Sequence, residues 1–239
     1  LLKSIIWHFS GSKNKGRNFL NKVNLFLSFF VLFLGIVCLF RFNFYVGFIL
    51  SFLGLFGVNS SKSESQFFKI ENILKFSKVS EIKLKPLRKI EYDSNFSELN
   101  TLVKNKKDTS DKYFFVTNNG RWTGFVDEDI LKTVSLKKWE RNFVGDYKKP
   151  IDNFVSVYCN DKLWKTIERL EATSEGFLLV LNAADIPLGI IDRSKIGNFV
   201  LNKLGFNLPS EIVNKLNIKN HYPLGIELPR IINSMKQKG

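Results

Sequence analysis

The sequence predicts a mixed fold, in which a two-helix transmembrane hairpin precedes an α+β module made of two copies of one unit. The first observation behind this prediction is an apolar stretch over residues 23–58, whose single charge is Arg41. The second is the absence of any acidic residue before Glu64, although the same part of the chain is rich in lysine. The third is a repeated pattern in the second half of the chain.

The apolar stretch predicts two membrane spans rather than one. Residues 23–40 and 42–58 are each almost wholly apolar, and about 17–25 apolar residues suffice to cross the hydrocarbon core as a helix. One unbroken helix would be far too long at about 1.5 Å per residue. It would also leave Arg41 and Asn43 near the bilayer centre, where a charge is costly. We therefore expect a tight turn at residues 41–43.

The positive charges around the spans predict their orientation, because lysine and arginine near helix ends favour the cytoplasmic side. Those that precede Glu64 are Lys3, Lys13, Lys15, Arg17, Lys22, Arg41 and Lys62. Both ends of the hairpin are therefore expected in the cytoplasm, with Arg41 on the far face. The protein is predicted to be a multi-pass membrane protein in contact with lipid, and its α+β module to be cytoplasmic.

Small residues mark one face of each predicted span. Gly47, Ser51 and Gly54 follow one another at helical spacing, and Ser28 and Gly35 are two turns apart. Small side chains let helix backbones approach closely in lipid. The two spans then pack on each other, or the second packs on helices upstream of this sequence. A third alternative is that the glycines are incidental.

Composition argues against a nucleic-acid-binding protein and against a metal or disulfide site in this sequence. The formal net charge is +14, and without the seven positive residues before Glu64 there remain 29 Lys/Arg against 22 Asp/Glu, or +7. Because no basic stripe with interleaved aromatic residues is present, we predict no nucleic-acid partner. Cys38 and Cys159 provide neither a disulfide framework nor metal-ligand spacing. With only His8 and His221 in addition, the sequence supplies no catalytic residue and no zinc ligand set.

The repeated pattern consists of an apolar strand, a polar turn and a second strand that glycine opens. The first copy covers residues 113–127 with Gly124, and the second covers residues 177–192 with Gly189, about 65 residues later. A helix-like segment precedes each copy, with Asp93 or Asn160 near its start, and a short helix follows. Each unit therefore reads strand–helix–strand–strand–helix.

These features divide the chain into five predicted parts. They are a membrane part with a helix end and the hairpin (residues 1–62), a serine-rich linker (63–78), a first repeat (79–145), a second repeat (146–201), and a tail packed on the module (202–239). The tail has helical patterns at residues 210–216 and 228–235.

The repeat resembles a tandem pair of CBS domains, whose units end in Gly-hydrophobic-hydrophobic-Thr-x-x-Asp. In that family the threonine and aspartate often hold the ribose and phosphates of an adenosine nucleotide. Here Asp127 and Asp192 stand at the threonine position, and Ile130 and Lys195 stand at the aspartate position. The resemblance makes Asp127, Asp129 and Asp192 the candidate cofactor-binding residues. Because carboxylates repel phosphate, we expect ATP or AMP to bind weakly or not at all. The resemblance also suggests a homodimer formed through the pair.

The order of parts resembles a second family. Residues 1–12 are similar to the stretch that follows the Asp-Gly motif in bacterial and plastid site-2-type intramembrane zinc proteases. Several members, notably cyanobacterial ones, continue through a helical hairpin into paired CBS domains. In that family the zinc ligands lie upstream of the matched stretch, so zinc would be present only in the complete protein. Leu1 is not a methionine, which fits a sequence that begins inside a longer or processed polypeptide.

Two functions follow from these resemblances. The first is the non-catalytic C-terminal membrane and regulatory part of a zinc protease, with upstream helices of the same polypeptide and a membrane-protein substrate as partners. The alternative is a non-enzymatic, membrane-anchored CBS module of the transporter or channel type. Transport pathways usually contain polar or ionisable residues within the membrane, and the two spans contain no acid. This observation favours the protease.

Overall fold

The computed structural model describes residues 13–41, 44–105, 112–207, 209 and 221–237. Three predicted features lie outside these residues: the helix end at 1–12, the turn at 42–43 and the helix at 210–216. The chain forms two compact units, Leu1–Asn72 and Ile73–Gly239. They are described in turn.

Two long apolar helices make up most of the N-terminal unit. Helix α1 covers Lys13–Arg41 and helix α2 covers Phe44–Phe76. Within them, Phe19–Arg41 and the whole of α2 are long and apolar enough to cross a membrane, as judged by length and composition. Both predicted spans are therefore helical.

Helices α1 and α2 pack against each other through small residues. A Cβ atom added at Gly35 would lie 2.6 Å from the hydroxyl oxygen of Ser51, and one added at Gly54 would lie 2.6 Å from the Cα of Leu32. Such distances mean that the helix backbones touch at these glycines. Of the three alternatives left by the sequence, the structure selects packing of the two spans on each other.

The structure differs from the predicted linker at residues 63–78, because α2 continues as a helix to Phe76. Serine has a lower helix propensity than alanine, but by only a few tenths of a kcal/mol per residue. Packing outweighs this cost: Ser61 is buried in the N-terminal unit, and Leu74 is fully buried in the C-terminal unit. Serine content alone was therefore a poor guide to a break in the helix.

The first repeat is a three-stranded sheet with two helices. In chain order it comprises β1 (Lys89–Glu91), α3 (Phe96–Lys104), β2 (Tyr113–Asn118), β3 (Arg121–Asp127) and α4 (Ile130–Thr133). Strand β1 is parallel to β2, and β2 is antiparallel to β3. A parallel pair needs a crossover connection, which α3 provides. The cap of α3 is Asn95, two residues after Asp93, since the Asn95 Oδ1 accepts the Glu98 N–H at 2.9 Å.

The second repeat has the same topology. It comprises β4 (Ser156–Tyr158), α5 (Leu163–Ala172), β5 (Phe177–Leu181), β6 (Pro187–Asp192) and α6 (Arg193–Lys203). The antiparallel pairs of the two repeats carry a register shift at matching places, Val116/Thr117 and Val180/Leu181. The predicted mixed fold, with two apolar helices before a duplicated α+β module, is therefore confirmed.

Each sheet has its own buried layer. In the first repeat the fully buried side chains of this layer include Phe96, Leu99 and Phe114. In the second repeat, α5 buries Leu163, Ile167 and Leu170. The opposite faces of the two sheets carry the residues that form the candidate site.

The end of the tail packs on the second repeat. A short 3-10 turn at Pro223–Gly225 leads into helix α7 (Leu228–Gln237), which buries Leu228, Ile231 and Ile232. The ammonium of Lys236 on α7 pairs with the Glu168 carboxylate on α5.

Candidate ligand-binding site

The two repeats are joined by a reciprocal exchange of main-chain hydrogen bonds. The segment ahead of β1 bonds to the second repeat, because Lys85 and Ile190 exchange N–H···O bonds of 2.9 Å in both directions. The segment ahead of β4 bonds to the first repeat in the same way, through Lys149 and Phe125, at 2.8 and 2.9 Å. Each of these segments thus forms an isolated bridge to the last strand of the other repeat's sheet.

The two repeated glycines lie where these segments bond to the neighbouring repeat. A Cβ atom at Gly124 would lie 2.5 Å from the Lys149 carbonyl oxygen, and one at Gly189 would lie 2.7 Å from the Lys85 carbonyl oxygen. Both glycines are therefore needed for close approach of the incoming segment. The sequence revealed the repeated glycines, but it did not reveal which segment approaches them.

Aromatic rings fill the space between the two sheets. The interface cluster consists of Phe115, Phe125, Phe154 and Leu179, all buried. Phe154 comes from the segment ahead of β4, and its ring centroid lies 4.2 Å from that of Phe125. Tyr113 lies against the cluster, with ring centroids 5.0 Å from Phe154 and 5.6 Å from Phe177. Side chains of the protein thus occupy the region between the sheets.

The candidate residues Asp127 and Asp129 lie together after β3. The Asp127 Oδ1 accepts the backbone N–H of Asp129 at 3.0 Å, and the Asp129 carboxylate pairs with the Lys132 ammonium at 2.6 Å. This pair raises the pKa of Lys132, chiefly through its hydrogen bond to Asp129. Asp127 therefore uses its carboxylate to order the turn into α4.

The third candidate, Asp192, caps helix α6. Its Oδ1 accepts the backbone N–H of Lys195 at 2.8 Å. The first N–H groups of a helix attract anions, including phosphate. In this protein the carboxylate of Asp192 already occupies one of these donors, as a phosphate oxygen would.

The structure brings the two acidic strand ends near each other. Asp127 lies opposite Tyr113 in the first sheet, and Asp192 lies opposite Phe177 in the second. Since the rings of Tyr113 and Phe177 are in contact, the ends of both hairpins meet at the interface between the repeats.

A tyrosine links the repeats at this point, which the sequence did not predict. The Tyr113 hydroxyl donates a 2.5 Å hydrogen bond to the Glu175 carboxylate in the second repeat. The pKa of Tyr113 is raised well above its usual range, mainly by partial burial and in second place by this hydrogen bond. The negative charges of Asp127 and Asp129 act in the same direction. Three carboxylates, those of Glu175, Asp127 and Asp129, therefore act on the Tyr113 hydroxyl.

A second polar network, also missed from the sequence, lies in an open cleft of about 560 Å³ beside the tail. Arg193 donates two hydrogen bonds to Glu171, of 2.9 and 3.2 Å, and the Tyr222 hydroxyl donates a third at 2.9 Å. Burial, and then the bond to Glu171, raises the pKa of Tyr222. No short sequence pattern indicated this network, since its members are far apart in sequence.

Within the described residues, no group of three or more His, Cys, Asp or Glu side chains is placed to hold a metal ion. His221 lies at the edge of the tail cleft, and His8 lies outside the described residues.

Comparison with known proteins finds likeness in structure only. No protein-family model matches the sequence, and no curated protein matches it either. Solved structures that match include the CBS domain of a bacterial CNNM/CorC family Mg²⁺ transporter, with 15% identity over 58% of this chain and 83% of that one, at a TM-score of 0.44.

Two further matches are of the same kind. The same transporter domain in complex with ATP matches with 15% identity over 61% of this chain and 99% of that one, at a TM-score of 0.45. The CBS-pair protein CBSX2 from Arabidopsis thaliana matches with 19% identity over 54% of this chain and 98% of that one, at a TM-score of 0.43. At these scores the likeness says nothing about function. The duplicated module of this chain is similar to CBS pairs, and the predicted protease part stays a prediction.

Proposed function

We propose that this chain is the membrane-anchored regulatory part of a larger membrane protein of the transporter or channel type. In this proposal the helical hairpin holds a CBS-like pair at the cytoplasmic face. The pair acts on the rest of the protein through contacts with other protein segments.

The exposed surface of the hairpin supports the membrane anchor. Its large apolar side chains point outward, with Phe26 74% exposed, Phe33 63% and Phe52 64%. An apolar surface of this extent is unusual on a protein in water. In a bilayer it would face lipid, while the small residues stay in the seam between the helices.

The observation that carries the regulatory proposal is the self-occupied site between the repeats. Asp127 and Asp192 both accept backbone N–H groups at helix starts, where a nucleotide phosphate would otherwise be expected. The rings of Phe154 and Tyr113 fill the adjacent space. We infer that the pair does not use these positions for an adenosine nucleotide and works as a rigid docking module.

Two measurements on the full chain test the proposal: calorimetry in lipid nanodiscs, and cysteine labelling in sealed membrane vesicles of known orientation. Calorimetry with ATP and AMP should show no binding at micromolar ligand, whereas micromolar affinity, about −8 kcal/mol, would overturn the inference on nucleotides. Cysteine labels at Ser12 and Glu64 should react from the cytoplasmic side, and a label at Asn43 from the other side. Labels at Ser12 and Glu64 on opposite faces would overturn the hairpin.

The protease is the second candidate, and the order of parts in the sequence favours it. If it is correct, the coding sequence upstream of Leu1 contains an Asp-Gly motif within a few helix turns. It also contains H-E-x-x-H on an earlier apolar helix, where two histidines at i and i+4 share one face. Reading that sequence decides between the candidates, because an upstream segment without both motifs excludes the protease.

A further inference from the structure

The loop that follows α4 has an unusual combination of exposed side chains. This 135–143 loop includes Leu136, which is 75% exposed, and Phe143, which is 47% exposed. Single exposed apolar residues are common on protein surfaces. Here, however, the two lie within one short loop that is also rich in positive charge.

The cations of the loop are exposed. Lys137, Lys138 and Arg141 all have exposed side chains, and the single acid of the loop is Glu140. The loop therefore carries a net positive charge together with two outward apolar groups. Surfaces with both features suit the boundary between lipid headgroups and acyl chains, as in amphipathic membrane-binding segments.

The fold holds this loop in place. The Trp139 indole N–H donates to the Val134 carbonyl at 2.9 Å, and the Trp139 carbonyl accepts the Phe96 N–H at 3.0 Å. The Val144 N–H donates to the Ser94 carbonyl at 2.8 Å where the loop ends. Trp139 also packs on the buried layer of the first repeat. Leu136 and its cationic neighbours are thus presented on an anchored turn.

We propose that the 135–143 loop is a docking surface for an anionic lipid bilayer, with the cations on the headgroups and Leu136 at the acyl boundary. The proposal rests on the membrane anchor proposed above, which would tether the module to a membrane. Cytoplasmic leaflets carry anionic lipid and attract lysine and arginine.

A second copy of this chain is the competing occupant, and charge argues against it. In a twofold dimer the same patch meets itself. Burying Leu136 in that way would bring Lys137, Lys138 and Arg141 of both copies together, with like charges opposed. An anionic lipid surface satisfies both the apolar and the cationic part of the loop.

The test uses the full chain in vesicles, with Cys38→Ala and Cys159→Ala and a fluorescent label on Leu136→Cys. The vesicles contain spin-labelled quencher lipid in phosphatidylcholine, either alone or mixed with phosphatidylserine. We expect strong quenching only with phosphatidylserine, and its loss when salt rises from about 0.05 M to about 0.5 M, because salt screens exposed charges. A label on Leu224→Cys, which replaces a residue 64% exposed on the tail, should respond to neither change.

A charge variant sharpens the test. Each cation near an anionic surface contributes roughly fivefold to docking, so Lys137→Gln with Lys138→Gln should lower the docked-to-free ratio roughly 25-fold. The matched control, Lys162→Gln with Lys165→Gln, removes the same charge around the start of α5 in the second repeat and should leave quenching unchanged.

The outcomes separate the two proposals. If the chain inserts in the vesicles but the Leu136 label is not quenched, or is quenched equally in both lipids, the docking surface is wrong and the anchor stands. A signal that depends on protein concentration and not on lipid charge would assign the loop to a second copy. Failure of the chain to resist alkaline carbonate extraction would overturn the anchor itself.

Discussion

Lys85 and Ile190 face each other across the two repeats and exchange both main-chain hydrogen bonds, each 2.9 Å long. Residues ahead of Lys85 also bond to the second repeat. The Ser80 N–H donates to the Cys159 carbonyl at 2.8 Å, and the Leu163 N–H donates to the Ser77 carbonyl at 3.0 Å. The chain between α2 and the first repeat is therefore bonded to the second repeat.

The close contact between Gly189 and the Lys85 carbonyl predicts that a methyl group added at residue 189 lowers the free energy of unfolding. Gly189→Ala places a Cβ 2.7 Å from the Lys85 carbonyl, so the incoming segment must shift. Such overpacking costs about 1–3 kcal/mol of unfolding free energy. Urea unfolding of the full chain in detergent, followed by tryptophan fluorescence, measures this loss. Leu188→Ala, at a neighbouring residue 47% exposed, is the control and should change stability by less than about 0.5 kcal/mol. Equal effects would mean that the contact is unimportant.

The close packing of α1 on α2 predicts that a disulfide can be engineered between the two helices. A Cβ added at Gly57 would lie 3.0 Å from the Ser28 Cβ, slightly closer than a disulfide requires, and a small shift of the helices would accommodate the bond. In a Cys38→Ala, Cys159→Ala background, Ser28→Cys with Gly57→Cys should therefore oxidise readily, as read by loss of thiol reactivity toward maleimide-polyethylene glycol.

Phe30→Cys with Gly57→Cys is the control pair for that experiment. Phe30 is 52% exposed and lies two residues from Ser28, close to the opposite side of α1. Its thiol should stay reduced. Efficient oxidation of both pairs would show that the helices rotate freely and that the small residues do not fix the seam.

Two partly buried tyrosines predict a loss of stability at high pH. Burial and the carboxylate partners raise the pKa values of Tyr113 and Tyr222 in the folded state. Stability from these hydroxyls is thus fully present below their unfolded pKa, about 10, and is lost as pH rises above it. Urea unfolding at pH 9 and pH 11 should show a smaller loss for Tyr113→Phe with Tyr222→Phe than for the unchanged chain. Parallel losses would contradict the assigned pKa shifts.

Replacing Asp127 or Asp192 by threonine is expected to strengthen nucleotide binding. Asp127→Thr with Ile130→Asp recreates the ending of the CBS family in the first repeat and removes a carboxylate that would repel phosphate. Calorimetry with AMP should show stronger binding than in the unchanged chain. Asp192→Thr tests the second repeat and keeps a side-chain oxygen for the α6 cap. No gain from either variant would indicate that Phe154 and Tyr113 block the space.

Much of the fold could be predicted because its signals are local. The apolar stretch, the small residues at Gly35 and Gly54, and the repeated strand pattern each depend on nearby sequence. The end of α2 could not be predicted in this way. Serines suggested a linker, and the burial of Ser61 and Leu74 that supports the helix depends on tertiary packing.

Less of the candidate site could be predicted. The sequence identified Asp127, Asp129 and Asp192, and the first and third of these accept backbone N–H groups in the structure. It did not identify Glu175 as the partner of Tyr113, because the two belong to different repeats and no short-range pattern connects them.

The crossing of the two repeats also constrains how the protein is made. Lys85 leaves the ribosome before the strand that contains Ile190 has been translated, and at typical rates the interval between them is about 5–20 s. During that interval Val79, whose N–H donates to the Asp161 carbonyl in the finished protein, has no complete second repeat to bond to. A stop codon or a ribosomal pause before Ile190 would therefore leave Lys85 without its main-chain partner, and quality control would meet the nascent chain in that state.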